Sequence, residues 1–385
     1  MYVVLLVIKN ALRHKLRTVL TIIGIVVAIT AFGLLRTIVD AWYAGANASS
    51  SARLVTRNAV SLVFSMPITY AQKIRQVPGV ASVALANWFG GVYVSERNFF
   101  PQFAISAPPY LDMYPEFILS PEERKAFLTD RIGAIAGRKL AEQYGWKVGD
   151  QIPLRGTIFP GTWTFTLRGI YDGADKGTDQ STFFFHWDYL NETMKKQFPR
   201  RADQTGVLVV QLKDPQQAAE VSEAIDATFK NSLAETLTET EKAFQLGFVA
   251  MTEAILLAIQ AVSFIVIVII MAVMANTMAM TARERYAEYA TLKALGFGNG
   301  FVASTIFAES IAIALTGGLA GIALTFPLAR AFADAMGSLF PIFFVSEDTV
   351  LMQLGAALLV GVVAACVPAW NAARIRIVDG LRAVA

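Results

Sequence analysis

The chain is poor in the residues that build catalytic and metal centres. Its 385 residues include one cysteine, Cys366, and two histidines, His14 and His186. A single cysteine cannot form a disulfide within the chain. One cysteine and two histidines also do not indicate a zinc site or a nucleophile activated by histidine. The phosphate-binding pattern GxxxxGK[ST] is also missing, so the chain lacks that means of binding ATP. The sequence predicts no catalytic residue, no metal site and no cofactor bound by this chain.

Charged residues are scarce as well, and apolar residues are abundant. The chain is 16% charged and 55% hydrophobic, which exceeds the apolar content of an ordinary soluble domain. Charge-free runs at 18–35, 254–282, 310–329 and 349–373 are each long enough for a transmembrane α-helix, which takes about 20 residues. The first run could instead be a signal-peptide core, but such cores have only about 7 to 15 residues, so we expect an uncleaved helix. Cys366 falls in the fourth run, where we expect a small packing residue.

The basic residues orient these spans. They cluster before the first run, between the second and third runs, and after the fourth run, whereas the charged residues of 331–350 are all acidic. By the positive-inside rule, both termini and the loop between spans two and three are cytoplasmic. The sequence therefore predicts a multi-pass membrane protein whose N- and C-termini are cytoplasmic, and a net charge of +3 does not indicate a nucleic-acid partner. The orienting residues are Lys9, Arg13, Lys15, Arg17, Arg283, Arg285, Lys293, Arg374, Arg376 and Arg382.

The predicted fold class is a membrane protein of four transmembrane α-helices, with a large α+β extracytoplasmic domain inserted between helices one and two. In that domain, apolar patterns predict strands at 81–88, 163–171 and 207–212 and helices at 68–76 and 215–229. We expect two subdomains and a helical stalk at 233–251 that continues span two outward. The predicted segments are a cytoplasmic amphipathic helix at 1–17, spans at 18–42, 245–281, 299–330 and 349–373, the extracytoplasmic domain at 43–244, a cytoplasmic helix at 282–298, an extracytoplasmic loop at 331–348 and a cytoplasmic tail at 374–385.

Three sets of apolar or intramembrane residues are candidates for function. Gly317, Gly318 and Gly321 permit close helix packing, either within the chain or in a dimer. Glu309 is an ionisable residue inside a span, so it is either functional or satisfied by a packing partner. An aromatic run is either an apolar contact surface for a lipophilic substrate or partner, or part of the domain core. The members of that run are Phe99, Phe100 and Phe103.

The stretch RERYAEYATLKALGF, residues 283–297, predicts a charged helix where a short turn would suffice to connect two spans. At about 100° per residue, Tyr289 and Lys293 share one face and Glu288 lies on the other, while Gly296 is placed to end the helix. Such a helix can press on a soluble partner or rest on lipid headgroups, and the pattern alone favours neither. Because Glu288 and Lys293 lie on opposite faces, we expect each to meet a group outside the helix.

Four stretches resemble the MacB/FtsX-like permeases of ABC transporters. ALRHKLRTVLTIIGIVVAI at 11–29 resembles the basic start and first span, and RERYAEYATLKALGF resembles the signature between spans two and three. FAESIAIALTGGLAG at 307–321 resembles the third span, and PAWNAARIRIVDGLRA at 368–383 resembles the C-terminal cytoplasmic segment. The order of spans around one large outside domain is also similar, so the resemblance covers nearly the whole chain.

The resemblance implies that residues 283–296 are a coupling helix docked in a groove of a separate cytoplasmic ABC ATPase subunit, which binds ATP and Mg²⁺. It also implies a second permease copy, as a homodimer or with a related permease, and it allows a periplasmic adaptor and an outer-membrane channel. Tyr289 and Ala290 stand where Ile and Gly are common in the family, and Ile377 where Pro is common, which leaves partner specificity open. The residues assigned to ATPase coupling are Arg283, Glu284, Arg285, Glu288, Tyr289, Leu292, Lys293 and Gly296.

Members of this type are mechanotransmitters, in which ATP-driven motion of the ATPase reaches the outside domain. The function implied by the resemblance is therefore that of the permease subunit of an exporter for a periplasmic or outer-leaflet substrate. The alternative within the family is FtsX-like regulation of a cell-wall enzyme, and the alternative outside it is a membrane receptor or scaffold. The sequence does not identify the substrate.

Overall fold

The structure is a computed structural model that describes residues 14–336 and 340–375. Its elements are numbered in chain order. The helices are α1 (Lys15–Ala48), α2 (Thr69–Ile74), α3 (Ala107–Met113), α4 (Pro121–Thr129), α5 (Arg138–Tyr144), α6 (Trp187–Gln197), α7 (Ala218–Thr228), α8 (Glu241–Ala250), α9 (Glu253–Glu284), α10 (Tyr286–Ala294), α11 (Asn299–Met336) and α12 (Glu347–Ala373). The strands are β1 (Arg53–Asn58), β2 (Met66–Pro67), β3 (Val80–Trp88), β4 (Gly91–Val92), β5 (Gln102–Ile105), β6 (Phe117–Ile118), β7 (Gly133–Gly137), β8 (Gln151–Gly156), β9 (Gly161–Gly173), β10 (Phe183–His186), β11 (Gln204–Thr205), β12 (Val207–Leu212) and β13 (Thr236–Thr240).

Among the described residues, α1, α9, α11 and α12 are long and apolar enough to cross a membrane. The residues fall into two units. A helical unit contains 14–40, 253–335 and 343–375, and an extracytoplasmic unit contains 41–252, 336 and 340–342. The inserted domain thus lies between the first and second spanning helices, as the sequence predicts.

Glycines let the helices α1, α11 and α12 approach closely. A Cβ built on Gly317 would lie 2.8 Å from the side chain of Ile25, and one built on Gly318 would lie 2.5 Å from the Cβ of Ala357. A Cβ on Gly321 would meet α1 at 3.0 Å. Small residues at such crossings allow close van der Waals packing between helices in a membrane. The three glycines therefore pack helices within the chain, and a role between two copies stays a prediction.

Buried hydrogen bonds also join these helices. Gln353 of α12 donates from Nε2 to the carbonyl oxygen of Ile29 at 2.9 Å and to Oγ1 of Thr325 in α11 at 2.8 Å. The Ser310 hydroxyl of α11 donates to the carbonyl oxygen of Gly361 at 2.6 Å. Because a bilayer core offers no water, polar side chains there find their partners inside the protein. These bonds fix how α1, α11 and α12 lie against one another.

One mixed sheet runs through the extracytoplasmic unit. Its order is β13-β1-β12-β3-β5-β10-β7-β9-β8-β4, with β6 also paired to β9, while β2 and β11 form a separate pair. The pairs β5–β10 and β7–β9 are parallel, and the other pairs in the sheet are antiparallel. Helices α2 and α7 pack on the β1–β12–β3 end. A second core near β7, β9 and β10 is filled by aromatic side chains, among them Phe89, Phe165, Phe183 and Phe185.

Local patterns predicted several elements of this domain correctly. The strands expected at 81–88, 163–171 and 207–212 are β3, β9 and β12. The helix expected at 68–76 is the shorter α2, and the one expected at 215–229 is a 3₁₀ turn followed by α7. The two expected subdomains share one sheet and differ in their buried cores.

The expected helical stalk at 233–251 is wrong in its first part and correct in its second, where α8 covers Glu241–Ala250. Residues Thr236–Thr240 form β13 beside β1, and α8 ends at Ala250, before α9 begins at Glu253. Threonine at alternate positions favours a strand, and the Thr238 hydroxyl donates to a carboxylate oxygen of Asp226 at 2.8 Å. Of the predicted terminal segments, residues 1–13 and 376–385 lie outside the described residues, as do 337–339 of the outer loop.

Part of the loop between α11 and α12 belongs to the extracytoplasmic unit. The Lys139 ammonium donates to the carbonyl oxygens of Phe340 at 3.3 Å and Pro341 at 3.1 Å. The ring of Phe340 also meets Trp42 edge-on at 5.2 Å between centroids. These contacts hold residues 340–342 on the domain.

Candidate functional site

The short helix α10 forms between two backbone breaks. Arg285, with φ −105° and ψ 12°, separates it from α9. At its other end, Gly296 has φ +95°, a left-handed conformation that glycine adopts without steric cost. The amide of Gly296 donates to the carbonyl oxygen of Lys293, and the amide of Phe297 donates to that of Leu292. The sequence thus sets off a separate helix of about two and a half turns at 3.6 residues per turn between two spans.

A buried ion pair anchors the start of α10 to α11. Arg285 donates from Nη1 to Oε2 of Glu309 at 2.7 Å and from Nε to Oε2 of Glu288 at 3.1 Å. Arg285 is 8% exposed and Glu309 is 3% exposed. The guanidinium also lies 5.3 Å from the ring centroid of Tyr289, whose pKa is raised by burial to about 12. Glu309 therefore has a packing partner, and any further function of this residue stays a prediction.

Lys293 anchors the other end of α10 to α12. Its ammonium donates to the carbonyl oxygens of Ala373 at 2.7 Å and Ile375 at 2.9 Å. The last carbonyls of a helix have no partner within the helix, and a cation there also suits the helix dipole. Lys293 thus caps α12, and α10 is fixed to two spanning helices by two separate contacts.

A third contact joins α1 to α9 beside this site. Arg17 donates to both carboxylate oxygens of Glu284, at 2.8 and 3.0 Å, and His14 Nε2 lies 3.3 Å from the same carboxylate. These side chains are partly exposed, so the contact contributes little to stability. The contact nevertheless gives the carboxylate of Glu284 a partner within the chain.

The structure uses most of the predicted coupling residues internally. The expectation that Glu288 and Lys293 each meet a group outside the helix holds for Lys293, which bonds the end of α12, and is wrong for Glu288, which bonds Arg285. A contact of either residue with a partner subunit stays a prediction. Arg285 and Tyr289 are buried, and Leu292 packs against the helical core. The members that remain exposed are Arg283, Glu284 and Gly296, and of these Glu284 is paired with Arg17.

The residues that α10 and its C-terminal turn do present were missed. Leu295 is 72% exposed and Phe297 is 43% exposed. Phe297 stacks on Phe301 of α11, with 4.6 Å between ring centroids. The available sequence signal was their position on either side of Gly296, where a helix ends and its side chains are no longer covered by the next turn.

The aromatic run of the outer domain divides into buried and exposed members. Phe100 is 3% exposed and packs in the core near Trp146 at 5.6 Å, so its assignment as a contact residue is wrong. Phe103 is half-buried, with its ring 5.2 Å from that of Trp88. Phe99 is 52% exposed, and a contact role for it stays a prediction.

A second buried arginine joins segments of the extracytoplasmic unit. Arg53, at the start of β1, donates from Nε to Glu241 at 2.7 Å and from Nη2 to Glu116 at 2.6 Å. Glu241 begins α8, and it also accepts a hydrogen bond from the Tyr114 hydroxyl at 2.8 Å. Burial opposes the positive charge, but the hydrogen bond with Glu116 and the charge of Glu241 outweigh it and raise the pKa of Arg53. No local sequence pattern marks this cluster, because its members are far apart in the chain.

Two further expectations concern cysteine and metal. Cys366 is exposed on α12 instead of packed, and its thiol donates to the carbonyl oxygen of Val362 at 3.3 Å. Within residues 14–336 and 340–375, histidine, cysteine, aspartate and glutamate form no group of three that could hold a metal ion.

Two family models match the chain. The MacB-like periplasmic core domain matches residues 18–228, and the FtsX-like permease C-terminal domain matches residues 261–377. The chain therefore belongs to the MacB/FtsX-like permeases of ABC transporters. It is a multi-pass protein of the inner membrane, and its family implies a cytoplasmic ATPase partner.

Individual relatives agree with this placement. An uncharacterized ABC transporter permease of Methanocaldococcus jannaschii is 24% identical over 97% of this chain and 96% of its own length. The macrolide export ATP-binding/permease protein MacB of Shewanella sp. is 30% identical over 34% of this chain and 20% of its own length.

Solved structures of outer domains are also similar to part of the chain. The extracellular domain of the noncanonic ABC-type transporter YknZ from Gram-positive bacteria has a TM-score of 0.36 at 12% identity, covering 49% of this chain and 100% of that one. The periplasmic region of MacB from Actinobacillus actinomycetemcomitans has a TM-score of 0.37 at 10% identity, covering 52% and 94%.

Proposed function

We propose that this permease transmits the ATP-driven motion of a separate ATPase subunit to its extracytoplasmic domain, and that this motion exports a substrate from the periplasm or the outer leaflet. The observation that carries the proposal is the double anchoring of α10, through Arg285 to α11 and through Lys293 to the end of α12. Charge-assisted hydrogen bonds of this kind are short and strong. A partner that displaces α10 therefore displaces both helices.

Hydrogen bonds within the extracytoplasmic unit are placed to receive such motion. Arg53 ties the strand that follows α1 to Glu241, the first residue of the helix that precedes α9. Lys139 holds residues 340–342, which lie between α11 and α12 in the chain. The segments that continue from all four spans are thus hydrogen-bonded into one domain, which favours transmission through several helices at once.

The energy supply is tested by purification. Each ABC ATPase encoded in the same genome is co-expressed with the tagged permease, and we expect one of them to co-purify and to hydrolyse ATP in the presence of Mg²⁺. Permease purified alone should hydrolyse none, because it has no phosphate-binding loop of the GxxxxGK[ST] kind. Hydrolysis by permease free of any ATPase, or failure of every ATPase to co-purify, would contradict the proposal.

Transmission is tested by hydrogen exchange in the complex. ATP analogues should change amide exchange in α8 and β13 of the outer domain. Glu309→Gln should reduce that change without preventing ATPase co-purification, because it weakens the link between α10 and α11. Leu257→Ala, at an exposed position of α9, is a control that should leave the change intact. Exchange in the outer domain that is indifferent to nucleotide would refute transmission.

The proposed orientation is tested by labelling. In a Cys366→Ala background, Lys176→Cys should react with an impermeant thiol reagent added to intact spheroplasts, and Arg283→Cys should react only after lysis. Both positions are exposed. Equal labelling of the two before lysis would contradict the placement of α10 in the cytoplasm.

A further inference from the structure

A small cavity lies between α1, α9 and α11 of the helical unit and reaches the carboxylate of Glu309. Its volume is about 20 Å³. A water molecule needs roughly 10 to 15 Å³ of such space, so the cavity has room for one water molecule and is too small for an organic ligand. Threonine side chains of α1 and α9 line it opposite Glu309.

Glu309 leaves one carboxylate oxygen for this cavity. Its Oε2 accepts the hydrogen bond from Arg285 at 2.7 Å. Among the groups that the structure describes, none donates a hydrogen bond to Oε1. Glu309 is buried, and a charged oxygen that is buried without a donor costs free energy. Oε1 therefore needs a donor other than the described side chains and backbone amides.

Threonine hydroxyls add further acceptors around the same space. Thr21, Thr277 and Thr281 each donate their hydroxyl proton to the backbone carbonyl one helical turn earlier, at 2.9, 3.0 and 3.0 Å. A hydroxyl has a single proton, so these three oxygens offer only lone pairs to the cavity. The occupant of the cavity must therefore donate hydrogen bonds or carry positive charge.

The lining of the cavity favours a water molecule over a metal cation. Arg17 also lines it, and its positive charge opposes a second cation in so small a space. A water molecule donates two hydrogen bonds and can accept one from such a donor. His14 lines the cavity as well, and because both side chains are partly exposed, water can enter on this side.

We propose that the cavity binds one ordered water molecule, which donates to Oε1 of Glu309 and to a threonine hydroxyl of α1 or α9. Both oxygens of Glu309 then have a donor, Arg285 on one side and the water on the other. The water thus extends the contact between α10 and α11 to a third spanning helix. This binding site needs no ATPase, so failure of the proposed function leaves it standing.

The direct test is a cryo-electron microscopy map of the full-length permease in lipid nanodiscs, at a resolution that shows ordered water. We expect a peak within about 3.2 Å of Oε1 of Glu309. A map without this peak, or one with a protein donor at Oε1, would overturn the inference. A peak that disappears when choline replaces sodium and potassium in the buffer would also overturn it, because the occupant would then be a metal cation.

A stability measurement tests the same site from the threonine side. Thr21→Val and Thr281→Val keep the shape of the side chain but remove the oxygen that faces the cavity. Thr316→Val is the matched control, because Thr316 of α11 makes the same bond to a carbonyl one turn earlier, at 2.7 Å, and is exposed outside the cavity. Gel filtration in detergent checks that each variant is folded.

In a denaturant titration, at least one of the two lining variants should raise the unfolding equilibrium constant about tenfold more than Thr316→Val does. The map of that variant should also lose the peak beside Glu309, while the map of the control variant keeps it. Equal effects of all three substitutions on the unfolding equilibrium constant would overturn the inference, because no bond to a bound water would then have been lost. A peak that persists in both lining variants would overturn the link to a threonine.

Discussion

The pair of Arg285 and Glu309 makes a quantitative prediction about stability. Glu309→Gln keeps the shape of the side chain but removes its charge, and it leaves a buried guanidinium with Glu288 as its remaining carboxylate partner. The Glu288 side chain is 41% exposed, so it compensates only in part. Removing one partner of a buried pair typically costs about 3 to 5 kcal/mol, and the second carboxylate places our expectation at about 3 kcal/mol of unfolding free energy.

A double-mutant cycle isolates the pair. Arg285→Met alone should also destabilise the protein, because it leaves the Glu309 carboxylate buried without its cation. The double variant removes both charges, so its cost should fall short of the sum of the two single costs by about 1 to 3 kcal/mol. Unfolding is followed by tryptophan fluorescence during denaturant titration in detergent. Glu284→Gln, which breaks the exposed pair with Arg17, is the control and should have no measurable effect. Strictly additive single costs would refute the ion pair.

Two other predictions concern packing and pH. Gly33→Ala should cost about 1 to 3 kcal/mol of unfolding free energy, because the new Cβ would lie 2.0 Å from Nε2 of Gln353. Gly355→Ala is the control, because a Cβ there has no atom within 4 Å, and it should not destabilise the protein in the same denaturant titration. Burial lowers the pKa of His186, whose Nε2 lies 2.7 Å from the carbonyl oxygen of Phe127. As pH falls below about 6.5, the unfolded state therefore binds more protons than the folded state. The contribution of His186 to the unfolding free energy is full above that pH and declines below it. The melting temperature should therefore fall between about pH 7.5 and about pH 5.5, and His186→Gln should reduce the fall; an equal fall in both proteins would exclude His186 as a contributor.

Local sequence patterns were sufficient for the spans and for much of the outer domain. Charge-free runs locate spanning helices because the bilayer sets their length, and β3, β9 and β12 follow from apolar alternation or continuity. The stalk was misassigned because residues 236–240 have no helix breaker, and the preference for a strand comes from pairing with β1, which is distant in sequence. The strand at 236–240 therefore depends on its pairing with β1.

The candidate site shows the same limit in a sharper form. Periodicity correctly predicts a helix within 283–296 and its end near Gly296, but it does not predict the break at Arg285 that separates α10 from α9. It also places Glu288 and Lys293 on different faces, but it cannot show that Arg285 and the end of α12 occupy them. A helical wheel reports direction only. Whether a charged side chain is available to a partner depends on contacts with other segments, and these are set by the packing of α10 against α11 and α12.

The two buried arginines show why a charged side chain of this protein is not always available to a partner. A guanidinium carries five donors in a planar fork, so one side chain can hold two carboxylates that arrive from different segments. Arg285 holds Glu288 and Glu309 in this way, and Arg53 holds Glu116 and Glu241. Taking such charges out of water is costly, and several bonds within the chain are needed to offset that cost. An arginine whose bonds inside the fold already offset this cost gains little from a further partner, so in each unit the buried arginine joins segments of the chain.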